Sequence, residues 1–380
     1  MPVRTSPLVP HLKIGFTYDS RSEWLALGYS PEQCAEFDSE EAIEGIAASL
    51  RKLGTVQMIG GLKSLTKILT TSKPDWDLVF NICEGFGGTG REAQVPALLE
   101  AWGIPFTFSD SATLSLCLDK AKTKMILEYY GVPTAPFVCV PPRINWAESF
   151  CTLSVIQNSA QRHALNSFPL FVKPAAEGTG LGITQANKVS DEGQLVKIVE
   201  ELSKRYPTQP ILIERFLAGR EFTVGIIGTG ADARAIGVRE LVFLKDNPDF
   251  PIDSGTIYTT RDPALLELDV YGYDLKHVSS PNPQYVDLDL SSDPVAQGVA
   301  EVAVKAWKLL GCRDGGRVDL RNDTKAKNAV ANLIEVNPLA GLAPGWSDFP
   351  VLAQAGGIEY DRLLSLIVDS ALERYKYRVR

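Results

Sequence analysis

Apolar and polar residues alternate with different periods in three successive stretches of the chain. Between 12 and 110, apolar runs at Leu12–Thr17, Val56–Ile59, Asp77–Ile82 and Pro105–Phe108 read as strands, and amphipathic runs at Ser39–Leu53 and Ala93–Trp102 read as helices, the second closed by Gly103. This alternation predicts an α/β unit with a small parallel sheet. The second stretch, 111–209, opens with a helix over Asp119–Tyr130 that Gly131 and Pro133 stop, and carries strands at Pro136–Val140 and Leu170–Lys173. Residues 141–167 between them show no period and are expected to form a loop or a helical insertion. The third stretch, 210–380, has strands at 211–214 and 221–227, a helix over Val295–Leu310, a hairpin, and a C-terminal helix over Tyr360–Arg374. In that last helix Leu363, Leu364, Ile367, Val368 and Leu372 recur at helical spacing, which predicts a packing face.

The hairpin carries the most informative chemistry. Gly316–Arg321 alternates apolar Val318 and Leu320 with polar Arg317, Asp319 and Arg321, and Val330–Asn337 returns with Glu335 and Asn337 on one face. Two carboxylates and an amide oxygen then converge, a donor set that suits magnesium bound to phosphates. The competing reading is a salt-bridged sheet surface with Arg317 paired to Asp319 or Glu335. The Gly- and Pro-rich loop Asn337–Gly345 directly after the strand favours the ligand reading.

Two further segments fit the same ligand. In Phe168–Pro174, Lys173 shares a face with Phe171 in an apolar strand, where a lysine needs an anionic partner such as a phosphate. The loop Glu177–Gly182 that follows offers bare amides and the Thr179 hydroxyl to fold over phosphates, against the alternative of a plain tight turn. Ile211–Val224 reads as two strands joined by a short linker, with backbone near Phe216 and Leu217 to read adenine and Glu214 and Glu221 as acids for the nucleoside, Glu221 for the ribose; an ordinary hairpin would look similar.

Composition narrows the classes. With 380 residues there is room for two or three cores, and a net charge of -8 without a long basic run excludes a nucleic-acid binder of the usual kind. The 6 cysteines are dispersed without CxxC pairs and the 3 histidines are scattered, which predicts free thiols in a reducing, cytoplasmic compartment and no zinc site. No stretch reaches the length of a membrane span, so neither membrane nor nucleic acid is an expected partner.

A rival reading starts at Gly85-Phe-Gly87-Gly-Thr-Gly90, a formal match to the dinucleotide fingerprint with Asp110 twenty residues on, and makes the chain an NAD(P)-dependent dehydrogenase. Against it, Arg91-Glu92 follows the loop in place of an apolar helix, and the three phosphate-type segments stay unexplained. A regulatory protein that binds ATP without turnover is a further alternative, disfavoured by the intact metal triad.

In order and spacing these segments resemble the D-alanine-D-alanine ligase family of ATP-grasp enzymes, over most of the chain. Leu118-Asp-Lys120-Ala-Lys-Thr-Lys124 with Gly131-Val-Pro133, Gly103–Ser109, and Tyr271–Lys276 resemble further family segments, the last a mobile loop. The resemblance implies a three-domain ATP-grasp fold: an N-terminal substrate domain (1–110), a central subdomain (111–209) and a C-terminal subdomain with the metal site (210–380). It also implies ATP as cosubstrate with two magnesium ions, or manganese, on Asp319, Glu335 and Asn337. Lys120 and Lys173 would hold the α and β phosphates and Lys276 the γ phosphate, while Arg317 would stabilise an oxyanion. The chemistry implied is attack of a carboxylate on the γ phosphate to give an acyl phosphate, then attack by an amine. The partners implied are amino acids or another small carboxylate and amine, with a homodimer left open.

The chain departs from the family at the amino-acid sites. The glutamate that holds the first ammonium has Glu36 as its candidate here, with Asp38 close behind; an acidic helix cap is the other reading. Gly341 and Ser347 are the candidates on the second-substrate side, but the family Ser-Leu pair there is Ser347-Asp348, and an acid disfavours a second carboxylate. Glu84 stands where the family has histidine, and Thr179-Gly180 where it has two serines. A related ligase for other amino acids in specialised metabolism therefore remains open beside D-alanyl-D-alanine synthesis.

Overall fold

The computed structural model describes residues 11–142, 156–157, 159–242 and 284–376. Its elements run β1 (Leu12–Thr17), α1 (Arg21–Ala26), α2 (Glu40–Leu50), β2 (Gly54–Met58), α3 (Leu62–Thr71), β3 (Leu78–Asn81), α4 (Gln94–Trp102), α5 (Ser111–Leu118), α6 (Lys120–Tyr129) and β4 (Phe137–Val140). There follow α7 (Arg162–Leu165), β5 (Leu170–Pro174), β6 (Lys188–Val189), α8 (Glu192–Arg205), β7 (Ile211–Arg215), β8 (Glu221–Ile227), β9 (Arg234–Val242), β10 (Gln284–Leu288), α9 (Pro294–Leu310), β11 (Gly315–Asn322), β12 (Ala331–Asn337), α10 (Asp348–Ala355) and α11 (Tyr360–Lys376).

Three sheets carry the chain. β2-β1-β3 is parallel, as the alternating pattern predicts, and Phe106 extends it only through an isolated bridge to Val79, so Pro105–Phe108 forms no full strand. Its residues alternate between two cores. Ile14, Phe16, Leu78 and Phe80 face α2, while Val79 faces Leu65 of α3 and Leu99 of α4. The C-terminal helix joins the first of these cores: Leu363, Leu364, Ile367 and Val368 are buried there beside Ile43 and Ile46. The expected packing face of that helix is present, and it clasps the N-terminal sheet.

The other two sheets are antiparallel, in the orders β4-β7-β5-β6 and β10-β9-β8-β11-β12. β7 belongs to one and β8 to the other, so residues 216–220 cross between sheets, and the cleft lies at that crossing. Two short polar residues set the entry to it. Asp110 caps α5 and Asp119 caps α6, each accepting a backbone N–H of its own first turn. The cap at Asp119 starts α6 at Lys120, and Lys124, one turn later, falls on the same buried side.

Among the described residues no helix is long and apolar enough to cross a membrane. Lys276, with the Tyr271–Lys276 loop, lies outside the described residues, as does most of 141–167.

Candidate active site

A cleft is lined by Lys120, Phe171, Lys173, Glu214, Phe216, Leu217 and Glu221 on one side and by Arg317, Asp319, Glu335 and Asp348 on the other. Glu214 is a buried charge at its centre. Lys173 Nζ lies 2.7 Å from one carboxylate oxygen and Lys124 Nζ binds the other, all three side chains being nearly inaccessible. Burial alone would push this carboxyl up, but the two lysines outweigh burial and hold it at about 2. The same burial lowers Lys124. With two cations on one anion, the group keeps an excess positive charge facing the cleft.

At the crossing, Phe216 is buried and stands between cations, with Lys188 Nζ 4.4 Å and the Arg321 guanidinium 5.0 Å from its ring centre. Arg321 also binds Glu221 at 3.0 Å. The loop over the cleft is bent by backbone that L residues avoid: Gly180 and Gly182 have φ of +76° and +75°, and Thr179, β-branched, has +52°. Strain of this kind is characteristic of ligand clamps. Lys120 reaches under the loop to donate to the Glu177 carbonyl at 2.6 Å and to meet Glu335 at 3.0 Å.

The hairpin brings its four polar residues together as the alternation predicts. Arg317 stands opposite Asn337 and Asp319 opposite Glu335, with a bulge directly after that pair. The Asn337 amide donates to Asp319 at 3.3 Å and to Glu335 at 3.5 Å; turned about its terminal bond, it presents its oxygen to the same place. Two carboxylates and an amide oxygen at this spacing match a hard divalent cation that takes its other ligands from phosphate and water. The surface ion pair of the competing reading also exists, since Arg317 lies 3.1 Å from Asp319. Both readings describe the same strand.

The substrate candidates are engaged by partners from within the chain. Glu36 is held by Arg91 through contacts of 2.8–3.1 Å, and Arg91 also donates to the Ala176 carbonyl at 3.0 Å, joining the N-terminal sheet region to the phosphate loop. Around this arginine burial pushes Glu92 up to about 7 and raises Glu84, whose neighbour Glu92 adds repulsion. Burial likewise pushes the Asp38 carboxyl up to about 6. Ser347 accepts the Ala343 N–H at 3.1 Å, and Gly341 leaves room for it, because a Cβ there would sit 2.9 Å from the Ser347 hydroxyl. Arg317 donates to Asp348 at 2.6 Å.

The Gly85–Gly90 loop is not built as a dinucleotide turn. Gly85 N donates to Asp19 at 2.9 Å, a short 3-10 turn over Arg91–Ala93 intervenes before α4 begins at Gln94, and Asp110 caps α5. The loop thus runs into a 3-10 turn and not directly into an α-helix, which departs from the strand–loop–helix arrangement of that reading.

Comparison with known proteins decides between the readings. The family described as D-ala D-ala ligase C-terminus matches residues 126–369. A D-alanine–D-alanine ligase of Actinobacillus pleuropneumoniae is 31% identical over 291 residues, 77% of this chain and 79% of that protein. The chain belongs to the D-alanine–D-alanine ligase family. It is a ligase that forms carbon–nitrogen bonds, on small-molecule substrates. A Ralstonia pickettii D-alanine–D-alanine ligase is also 31% identical, over 87% of this chain and 85% of its own length. The fold agrees: the solved D-alanine–D-alanine ligase of Bacillus anthracis, complexed with ATP, superposes with a TM-score of 0.66 at 21% identity, over 97% of this chain and 99% of that one. These likenesses establish the ATP-grasp architecture expected from the resemblance.

For this ligase, three contributors escape a reading of the sequence. Lys124 carries a signal in retrospect, since Lys120 and Lys124 are four apart on a capped helix and so share its buried face with Ala121, Thr123 and Leu127. Arg91 carries none, because its partners Glu36 and Ala176 are 55 and 85 residues away. Arg321 lies in the alternating strand, but its stacking on Phe216 is a tertiary fact.

Proposed function

We propose that this chain is an ATP- and magnesium-dependent ligase that joins the carboxylate of an amino acid to an amine through an acyl phosphate, releasing ADP and phosphate. The observation that carries the reading is the pairing of Lys120 with Glu335, which joins the wall of the Lys124–Glu214–Lys173 cluster to the wall of the Arg317–Asp319 pair. Cations and carboxylates in that order suit a metal-bound triphosphate laid across the sheets.

Lys120 and Lys173 hold the α and β phosphates, with Lys124 keeping Glu214 from neutralising Lys173. Phe216 and Leu217 flank the adenine and Glu221 takes the ribose hydroxyls. Thr179 and its glycine neighbours close over the phosphates, and Lys276 holds the γ phosphate. Asp319, Glu335 and Asn337 would hold magnesium, which supplies charge neutralisation on the transferring phosphoryl group. A substrate carboxylate oxygen bonds to the γ phosphorus as the bond to ADP breaks. The amine lone pair then bonds to the acyl carbon, the carbon–phosphate oxygen bond breaks, and the nitrogen gives up a proton to the departing phosphate. Arg317 stabilises the oxyanion between those events, and alignment supplies much of the remaining acceleration, so no side-chain nucleophile is required.

D-alanine, named for the relatives, is the first candidate substrate. A related ligase acting on other amino acids is favoured by the substrate side, where Arg91 already engages Glu36. The test is magnesium-dependent ADP and phosphate release across single and paired amino acids, including both enantiomers of alanine, with products identified by mass spectrometry. Release that requires D-alanine and yields the dipeptide assigns that activity; release with another pair assigns the related ligation. No release with any carboxylate sinks the ligase reading.

A further inference from the structure

A partly buried guanidinium at the edge of a cleft and the first turn of a helix beside it form a natural anion-binding position. Arg317 and the start of α10 make one here. Ser347 is the helix N-cap and Asp348 the first helical residue. This position is filled from within the chain: Arg317 Nη1 donates to Asp348 at 2.6 Å, and Arg317 Nη2 lies 3.1 Å from Asp319. Arg317 thus already meets two carboxylates, and a third placed here would stand beside Asp348. Asp348 itself is still 30% exposed and lines the same cleft as Lys120, Asp319 and Glu335. Its carboxylate binds Arg317 through one oxygen, which leaves the group able to accept from a donor in the cleft. The adjoining rim is aromatic, since Trp346 is 81% exposed.

We propose that Asp348 is a specificity-determining residue: it occupies the anion position made by Arg317 and α10, so the acceptor amine carries no carboxylate there and presents an N–H or ammonium donor to Asp348 instead. A free α-amino acid placed in this position would bring its carboxylate against Asp348. An amino-acid amide, or an amine with a second nitrogen, would bring a donor. The inference rests on the ligase reading and deepens it by naming the class of acceptor.

The experiment uses the full chain with magnesium-ATP and matched acceptor pairs, D- or L-alanine against the corresponding alaninamide, with the acid substrate fixed. Hydroxylamine in place of the acceptor traps the acyl phosphate as a hydroxamate, which reads the first half-reaction independently of acceptor choice. The expected result is a kcat/KM for the amide at least about tenfold above that for the free acid. Asp348→Leu is expected to reverse the ratio, mainly through KM. Asp348→Asn keeps the shape and is expected to abolish the preference, so the inference stays testable if the leucine variant fails to fold. Hydroxamate formation with an equal or greater preference for the free acid, or a ratio unmoved in a folded variant, overturns the inference and leaves the ligase reading intact. No hydroxamate with any carboxylate overturns both.

Discussion

On the side of the cleft proposed to hold the nucleotide two lysines surround one carboxylate, Glu214, whereas on the proposed substrate side carboxylates outnumber the cations. Arg91 has Glu36 in contact with Glu84 and Glu92 nearby, and Arg317 has Asp319 and Asp348 in contact. The difference is one of sign. An excess of buried positive charge is tolerable where a triphosphate would arrive, and an excess of negative charge where metal ions and an ammonium would arrive, as the proposed function requires. The two sides meet at Lys120–Glu335, a pair of 3.0 Å that bridges α6 and the hairpin.

Breaking that junction has the largest expected effect. Glu335→Gln keeps the shape, removes a metal-type carboxylate and releases Lys120; ATP turnover is expected to fall roughly 10³-fold or more, read as magnesium-dependent ADP release. Unchanged turnover would place the metal elsewhere and dissolve the contrast between the two sides.

The nucleotide side can be tested by stability as well as by activity. Lys124→Met removes one of two cations from a fully buried carboxylate, and the expected loss is about 3 kcal/mol at pH 7, the lower end for a broken buried pair because Lys173 remains. Glu214 has a folded pKa of about 2, below its ordinary 4.5. Its contribution is therefore present above pH 4.5 and lost as pH falls toward 2. The variant should lose less stability than the parent between pH 5 and pH 2 in urea titrations. Equal acid slopes would mean that the cluster is not the charge centre of this side.

The substrate side makes the opposite prediction. Burial pushes Asp38 up to about 6 from 3.8, so its contribution is present below pH 4 and is lost as pH rises through 6. Asp38→Asn is expected to stabilise the protein by about 1–3 kcal/mol at pH 8 and to change nothing near pH 4. Thermal unfolding at the two pH values checks the sign. A variant destabilised at pH 8 would show that the carboxylate is needed in its charged form.

The contrast also explains what the sequence could disclose. Asp319, Glu335 and Asn337 were legible because a hairpin alternates with period two, so spacing alone puts them on one face. The parallel N-terminal sheet and the packing face of the C-terminal helix were legible for the same reason: each depends on a local period. The strands β9 and β10 and the helix α10 lie in stretches where weak amphipathicity or polar interruptions hide the period, whereas α3, also passed over, is clearly amphipathic, with Leu65 and Leu69 four apart on its buried face. The pairings of Glu36 with Arg91 and of Arg317 with Asp348 were not legible, since each joins residues set side by side only by sheet order and loop path. Charge sign on the substrate side is thus a property of the fold, while charge sign on the nucleotide side is written in the strand and helix that carry Lys173 and Lys120.

The smallest effect is expected at Gly87, and it separates this site from a dinucleotide turn. Gly87 has φ of +80° and is exposed, and a Cβ built on it meets nothing within 4 Å. Gly87→Ala therefore costs only the left-handed backbone preference, about 1 kcal/mol of stability. In a dinucleotide loop the second glycine lets the backbone approach a pyrophosphate, and a methyl group would cost affinity. Here the phosphates are expected against Lys120, Lys173 and the Thr179 loop, so the KM for ATP should stay within about twofold of the parent. A loss of nucleotide affinity larger than the loss of stability would move phosphate binding to the N-terminal unit and reverse the assignment of the two sides.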